Sequence, residues 1–303
     1  MTGWTEEHVP RLADGTFAVV TGANTGLGLH TTRVLARQGA TVVMACRNKE
    51  KAAAARQSLV GVGIDPTRLR TAPLNLADQE SIARFAEDLP DERVDLLINN
   101  AGLMAVPRSR TVDGFETQFG VNHLGHMALT LRLLPRLNAT PGARVVTITS
   151  MGHRPGRIRP DDPNFERGGY NRWIAYFQSK LANMLFAAEL ARRNEGRGAL
   201  SLAAHPGYAA TELGKDTGVQ ARVLSLFDRV AAQPADAGAW PTLRAATDPA
   251  ARNGTLYGPR WIAFGPAGPE TPSRTARRQD LAAQLWDLSL ELLSPAKVED
   301  PLR

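Results

Sequence analysis

From Thr16 onward, short apolar runs alternate with longer segments of helical period, and this alternation constrains the fold more than any other feature. The runs are Phe17 to Thr21, Thr41 to Ala45, Leu69 to Leu74, Val94 to Asn99, Arg144 to Thr149 and Leu200 to Ala204. Between them the period predicts helices at Leu27 to Gln38, Lys49 to Leu59, Gln79 to Asp88, Gly114 to Leu137 and Trp173 to Arg193. Strands of near-continuous Val, Ile and Leu need cover on both faces, which a parallel sheet flanked by helices supplies. Right-handed crossovers then wind the chain into a single-domain, doubly wound α/β sheet. A last strand near Thr255 to Phe264 and a helix from Arg277 to Leu293 close it.

No linker or repeat divides the 303 residues, so the expected division is a short extension at 1–14, one domain at 15–293 and a tail at 294–303, with both ends loosely held. Two stretches break the rhythm: 154–172, rich in Pro, Gly, Asp and Arg, and 207–235, which follows Pro206. Long excursions of this kind serve as rims and binding loops. The formal charge of +6 invites a nucleic-acid reading, yet the arginines are scattered and never interleave with aromatics. A solvated basic surface, partly spent on an anionic cofactor, fits better. One cysteine, Cys46, excludes an internal disulfide and a multi-cysteine metal site. With no signal segment and no apolar run long enough to span a bilayer, the expectation is a soluble, cytoplasmic protein.

The chemistry-bearing residues sit where such a sheet exposes them. The first strand runs into Thr21-Gly22-Ala23-Asn24-Thr25-Gly26-Leu27-Gly28, and a helix follows at once. Glycines here let the backbone turn tightly and approach a pyrophosphate, whose charge settles on the helix N-terminus. The spacing differs from the commoner Gly-x-Gly-x-x-Gly, but the strand-turn-helix context points to dinucleotide binding. The second strand ends in Cys46-Arg47-Asn48-Lys49, where an NAD-preferring site would place an acid against the ribose diol. A guanidinium there matches a 2′-phosphate, so NADP(H) is expected, read by Arg47 with Lys49 as a weaker candidate. Tyr176-Phe177-Gln178-Ser179-Lys180 places a phenol and an ammonium on one helix face. A nearby positive charge favours the phenolate, which would bring Tyr176 from its ordinary pKa of ~10 toward neutral pH.

Taken together with Asn99-Asn100-Ala101-Gly102, Asn122, Ser150 and Pro206-Gly207-x3-Thr211, these residues resemble the short-chain dehydrogenases/reductases, in the family's order and over residues 15 to 290. Ala45-Cys46-Arg47, Val121-Asn122-His123-Leu124-Gly125-His126, Ser179-Lys180-Leu181-Ala182-Asn183 and Leu285-Trp286 are similar to the retinol-dehydrogenase and WW-domain-oxidoreductase-like branch, which is mostly NADP-linked. The resemblance implies a Rossmann fold and an NADP(H)-dependent interconversion of an alcohol with a ketone or aldehyde. It implies Tyr176 as general acid/base, Lys180 lowering the phenol pKa and holding the nicotinamide ribose, Ser150 bonding the substrate oxygen, and Asn122 holding a relay water. It places Gly22, Asn24, Thr25, Gly26, Leu27 and Gly28 at the pyrophosphate, and Asn75 and Leu76 at the adenine. Asn99, Ala101 and Gly102 fall at the adenosine ribose, and Pro206, Gly207 and Thr211 at the carboxamide. Asn75 stands where the family usually has aspartate, so weaker adenine recognition follows. The resemblance also implies a bulky apolar small-molecule substrate and a homodimer or homotetramer.

Other readings of the same residues carry less. Thr149-Ser150-Met151-Gly152-His153 lacks the glycine two residues before the serine that a nucleophile elbow needs, and His123, His126 and His205 are too scattered for a metal site. Tyr170, Trp173, Tyr176 and Phe177, with Leu224, Leu226 and Phe227, either line a greasy cleft or pack a core or interface. A catalytically silent NADP-binding sensor or scaffold is the alternative function, against which the Ser150, Tyr176 and Lys180 set argues.

Overall fold

The computed structural model describes residues 3–90, 93–207 and 235–302. Eight strands form one sheet in the order β3-β2-β1-β4-β5-β6-β7-β8. They are β1 Phe17–Thr21, β2 Thr41–Cys46, β3 Leu69–Pro73, β4 Leu96–Asn99, β5 Arg144–Ile148, β6 Leu200–Ala204, β7 Leu256–Pro259 and β8 Ala267–Glu270. All neighbours pair in parallel except β7 and β8. The order reverses between β1 and β4, which opens a crevice beyond their carboxyl ends, the place where such sheets bind ligands.

Helices α1 Gly26–Arg37, α2 Lys49–Gly61, α3 Gln79–Asp88, α4 Gly125–Asn138, α5 Arg172–Arg193, α6 Ala235–Thr247 and α7 Gln279–Leu293 cover the sheet. Two apolar clusters result. One carries Val19, Val43, Leu97 and Val145 against α3, α4, α5 and α7, and the other carries Ala18, Val20, Met44 and Ile98 against α1, α2 and α6. Successive strand residues alternate between the clusters, which is why the runs read as continuously apolar. No described helix is long and apolar enough to cross a membrane.

The structure departs from the periodic reading in four places. The helix expected from Gly114 begins at Thr117, because Gly114 adopts φ 87° in a turn and the Glu116 carboxylate caps the backbone N–H groups of Gln118 and Phe119. It then widens into a π turn at Gly120–Leu124 before α4. β8 and α6 fall on Gly/Pro-bearing sequence: β8 reads Ala-Gly-Pro-Glu, and α6 contains Pro241. The described residues of both ends are packed rather than loose. Trp4 bridges to Ala267, and Glu6 pairs with His30 and Arg33. At the other end Val298 and Leu302 are buried, and Asp300 accepts from Trp286 Nε1 at 3.0 Å.

Candidate active site

The turn after β1 has the shape of a phosphate cradle. Gly22 and Gly26 adopt φ of 64° and 53°, and helix α1 starts at Gly26 with no side chain capping its first N–H groups, since Thr25 makes no cap bond. Those donors and the positive end of the helix are thereby open to an anion. Space is set by the glycines: a Cβ on Gly28 would lie 2.4 Å from the Gly22 carbonyl oxygen and 2.5 Å from Asn100 Nδ2. Asn100 Nδ2 donates to the Thr21 carbonyl at 2.7 Å, and Thr21 Oγ1 accepts the backbone N–H groups of Asn100 and Ala101, both at 2.9 Å. The two strand ends flanking the crevice are therefore tied to each other. Beneath the turn, Cys46 is buried beside the backbone amides of Ala23 and Asn24, and burial pushes its thiol pKa up. Arg47 and Lys49 stand exposed where β2 gives way to α2, and the Asn48 side chain caps that helix.

Ser150, Tyr176 and Lys180 converge at the carboxyl ends of β4 and β5. Ser150 follows β5, and its Oγ accepts Gly152 N–H at 3.1 Å, while its hydroxyl favours the ionised form of the Tyr176 phenol. Tyr176 and Lys180 lie one turn apart in α5, 8 % and 5 % exposed, with the ammonium 5.9 Å from the phenol ring centre. Lys180 Nζ donates to the Ile148 carbonyl at 3.3 Å, and that carbonyl also accepts Asn183 Nδ2 at 2.9 Å. Burial lowers the Lys180 pKa to about 8. Gly102 lies against both Lys180 Nζ and Asn122 Oδ1, at 3.4 and 3.3 Å from where its Cβ would be. The absent side chain leaves the approach to the ammonium open.

Several expectations change. The phenol of Tyr176 stands above its ordinary pKa, not below it: burial raises it, and only the Ser150 hydroxyl opposes. Lys180 directs its ammonium toward the ring and the Ile148 carbonyl. Asn99 is wholly buried and turns its amide to Thr130 and Thr147, while Asn100 turns its amide to the Thr21 carbonyl. Asn122 spends its side chain on the Leu103 N–H and carbonyl and on Ser179 Oγ, while His126 Nδ1 meets its carbonyl at 3.0 Å. These bonds make it a clamp on the loop after β4. His126, which sequence reasoning set aside, also reaches Thr21 Oγ1 at 2.9 Å and so links that clamp to the glycine turn.

Asn75 Oδ1 accepts Ala77 N–H at 3.2 Å, and Leu76 sends its side chain into the core. Tyr170 packs edge-on against Phe165 and donates to the Val106 carbonyl, so it serves the rim, whereas Trp173, Tyr176 and Phe177 contact one another near Ser150. The 154–172 segment is tied to α5 by Gln178, which donates to the Pro163 carbonyl and accepts Arg159 N–H. Thr211, Leu224, Leu226, Phe227 and most of the 207–235 stretch lie outside the described residues; Pro206 and Gly207 close β6 beside the site.

A reversed parallel sheet with a glycine cradle at its switch point and a serine, tyrosine and lysine beyond the neighbouring strands defines a dinucleotide-dependent oxidoreductase. The short-chain dehydrogenase family profile matches residues 16–221, and the chain belongs to that family, in its retinol-dehydrogenase-like branch. It is 39 % identical to human retinol dehydrogenase 13 over 299 residues, covering 95 % of this chain and 88 % of that protein. It is also 39 % identical to human retinol dehydrogenase 12 over 287 residues, covering 92 % and 86 %. Among solved structures, an uncharacterized protein from Mycobacterium paratuberculosis superposes with a TM-score of 0.83 at 44 % identity over 99 % of this chain and all of that one. A protein described as an NAD(P)-dependent gluconate 5-dehydrogenase of Beutenbergia cavernae, holding NADP at low occupancy, superposes with a TM-score of 0.64 at 25 % identity over 82 % and 96 %. Members of the family use NAD(P).

Proposed function

We propose that this protein is an NADP(H)-dependent oxidoreductase that interconverts a bulky, apolar ketone or aldehyde with its alcohol. The observation that carries the reading is the convergence of Ser150 with the buried Tyr176 and Lys180, whose ammonium lies 5.9 Å from the phenol ring centre. Gly22, Asn24, Thr25, Gly26, Leu27 and Gly28 would hold the pyrophosphate, Ala101 and Gly102 the ribose next to it, Arg47 the 2′-phosphate, and Pro206 and Gly207 the nicotinamide end. When bound, the cofactor supplies or accepts a hydride. The chain's own residues handle the proton and the oxygen. A phenol, with an ordinary pKa of ~10, carries its proton at neutral pH, and Tyr176 would donate it to a carbonyl oxygen that gains negative charge. Ser150 Oγ is a second preplaced donor to that oxygen. Lys180 keeps a positive charge below about pH 8 and stabilises the tyrosinate left after transfer.

The NADP preference rests on the exposed Arg47 and the absence of an acid at the end of β2. The apolar substrate is supported by the names of the two human relatives and by the Trp173, Tyr176 and Phe177 cluster beside Ser150. Tyr176→Phe is the deciding test, with NADPH and a panel of apolar aldehydes and ketones that includes retinal. It removes one hydroxyl and keeps the ring packing, so kcat should fall by about 10² to 10⁴ with NADPH affinity kept. Turnover unchanged in the variant would end the reading.

A further inference from the structure

The carboxyl end of β6 carries a buried polar chain that hydride transfer as described above does not use. His205 follows β6, and its side chain is fully buried. Its Nδ1 accepts the backbone N–H of Gly207 at 3.1 Å, which leaves the proton on Nε2, and Nε2 meets Glu270 Oε2 at 2.5 Å. The carboxylate, 14 % exposed at the end of β8, is held from its other side by Arg154, which follows the turn that Ser150 caps. Burial raises the Glu270 carboxyl, but the His205 and Arg154 contacts outweigh it and keep it below the ordinary range.

The surroundings make room for this chain and for little else. A Cβ on Gly258 of β7 would fall 2.3 Å from His205 Nε2 and 2.4 Å from Glu270 Oε2, so any side chain there would displace the pair. Gly207 adopts φ 70°, and its missing Cβ would lie 2.4 Å from the Ala263 carbonyl oxygen. The amide plane of Gly207 is thus set by the imidazole on one side and by the 261–264 turn on the other. His153 brings the second end of the site to the same cluster: its Nδ1 donates to the Ser150 carbonyl at 2.7 Å, and its ring interacts electrostatically with His205 and Glu270.

We propose that Arg154, Glu270 and His205 form a positioning chain that fixes the Gly207 amide, and through it the nicotinamide end of the cofactor, relative to Ser150 and Tyr176. The proposal rests on the cofactor reading above. It assigns a role to the antiparallel edge strand, because β8 delivers the carboxylate that selects the imidazole tautomer. A histidine free to take the other tautomer would present Nδ1–H to Gly207 N–H, donor against donor, and the turn would move.

The two nitrogens of the ring can be separated by substitution. Asparagine carries its amide oxygen where Nδ1 stands, and glutamine carries its amide nitrogen near Nε2. Binding of NADPH and of 2′,5′-ADP, which lacks the nicotinamide half, is measured for wild type, His205→Asn and His205→Gln. His205→Gln should weaken NADPH about tenfold and leave 2′,5′-ADP unchanged, while His205→Asn should stay within about threefold of wild type for both. If His205→Gln does not fold, Glu270→Gln keeps the volume, loses the charge, and reads the same ratio of the two affinities. Parallel loss of both ligands, or NADPH binding unchanged in His205→Gln or Glu270→Gln, overturns the positioning role. Wild type that binds neither ligand would instead overturn the cofactor reading, and this inference with it.

Discussion

Lys180→Met tests how much stability the buried ammonium costs. Burial lowers the pKa of Lys180 from 10.5 to about 8, and at about 1.4 kcal/mol per tenfold change in the proton equilibrium the gap amounts to about 3 kcal/mol. The sign follows from linkage. Below pH 8 the lysine is charged folded and unfolded, so the folded state bears the full cost of a desolvated charge. Between pH 8 and 10.5 the unfolded chain holds the proton and the folded chain does not, so stability climbs with pH; above 10.5 the cost is gone. Methionine fills similar space without a charge, and the Ile148 carbonyl keeps Asn183 Nδ2 as its donor, so no buried acceptor is orphaned. The variant should therefore be more stable than wild type by about 3 kcal/mol at pH 7. With an unfolding entropy of about 2.1 cal/mol/K per residue, that is a rise in Tm of about 5 °C. Urea titrations of cofactor-free protein at pH 7 and pH 10.5 measure it directly, and turnover should collapse in the same variant. A Lys180→Met variant no more stable than wild type at pH 7, or a gain that persists undiminished at pH 10.5, would refute the reasoning.

Three further outcomes are expected. Arg47→Asp should weaken NADPH by about 10- to 100-fold, the worth of a charge-assisted contact, and improve NADH, as read by fluorescence titration of both; an unchanged preference removes Arg47 from the 2′-phosphate. Asn75→Asp should tighten binding of adenine nucleotides about fivefold, because a carboxylate is the stronger acceptor for the adenine amino group, and isothermal titration with 2′,5′-ADP measures it. Gly28→Ala should lose dinucleotide binding and about 1–3 kcal/mol of stability, since the new methyl meets the Gly22 carbonyl oxygen and Asn100 Nδ2; a variant that binds NADPH normally would contradict the cradle.

How far the fold could be read from the chain depended on how its information is stored. The first six strands and most helices were legible because alternate burial on the two sheet faces writes itself as apolar runs, with edges right to within two residues. The π turn around Asn122 was not, since one extra residue in a turn leaves the apolar period almost unaltered. β8 reads as a loop because Ala267–Glu270 is an edge strand with no apolar run to announce it. In the site, spacing and order brought Ser150, Tyr176 and Lys180 together correctly. The same spacing misled on the phenol, because a linear sequence displays the neighbouring charge but not the burial, and here burial decides the direction. Asn99 and Asn100 show the limit most plainly: adjacent, identical residues at a strand end send their amides to different partners, one to Thr130 and Thr147 and the other to the Thr21 carbonyl, and the sequence does not say which goes where.

The lone thiol under the glycine turn gives the protein a clock of its own. Cys46 is buried at the end of β2 beside the amides of Ala23 and Asn24, so a thiol reagent can reach it only when the turn lifts. With one cysteine in the chain, each alkylation event counts one opening of the phosphate cradle. Under conditions where reclosing outpaces labelling, the rate measures the free energy of that local opening. A dinucleotide seated on the turn would slow the labelling in proportion to its occupancy, which turns an inert residue into an unengineered gauge of cofactor binding.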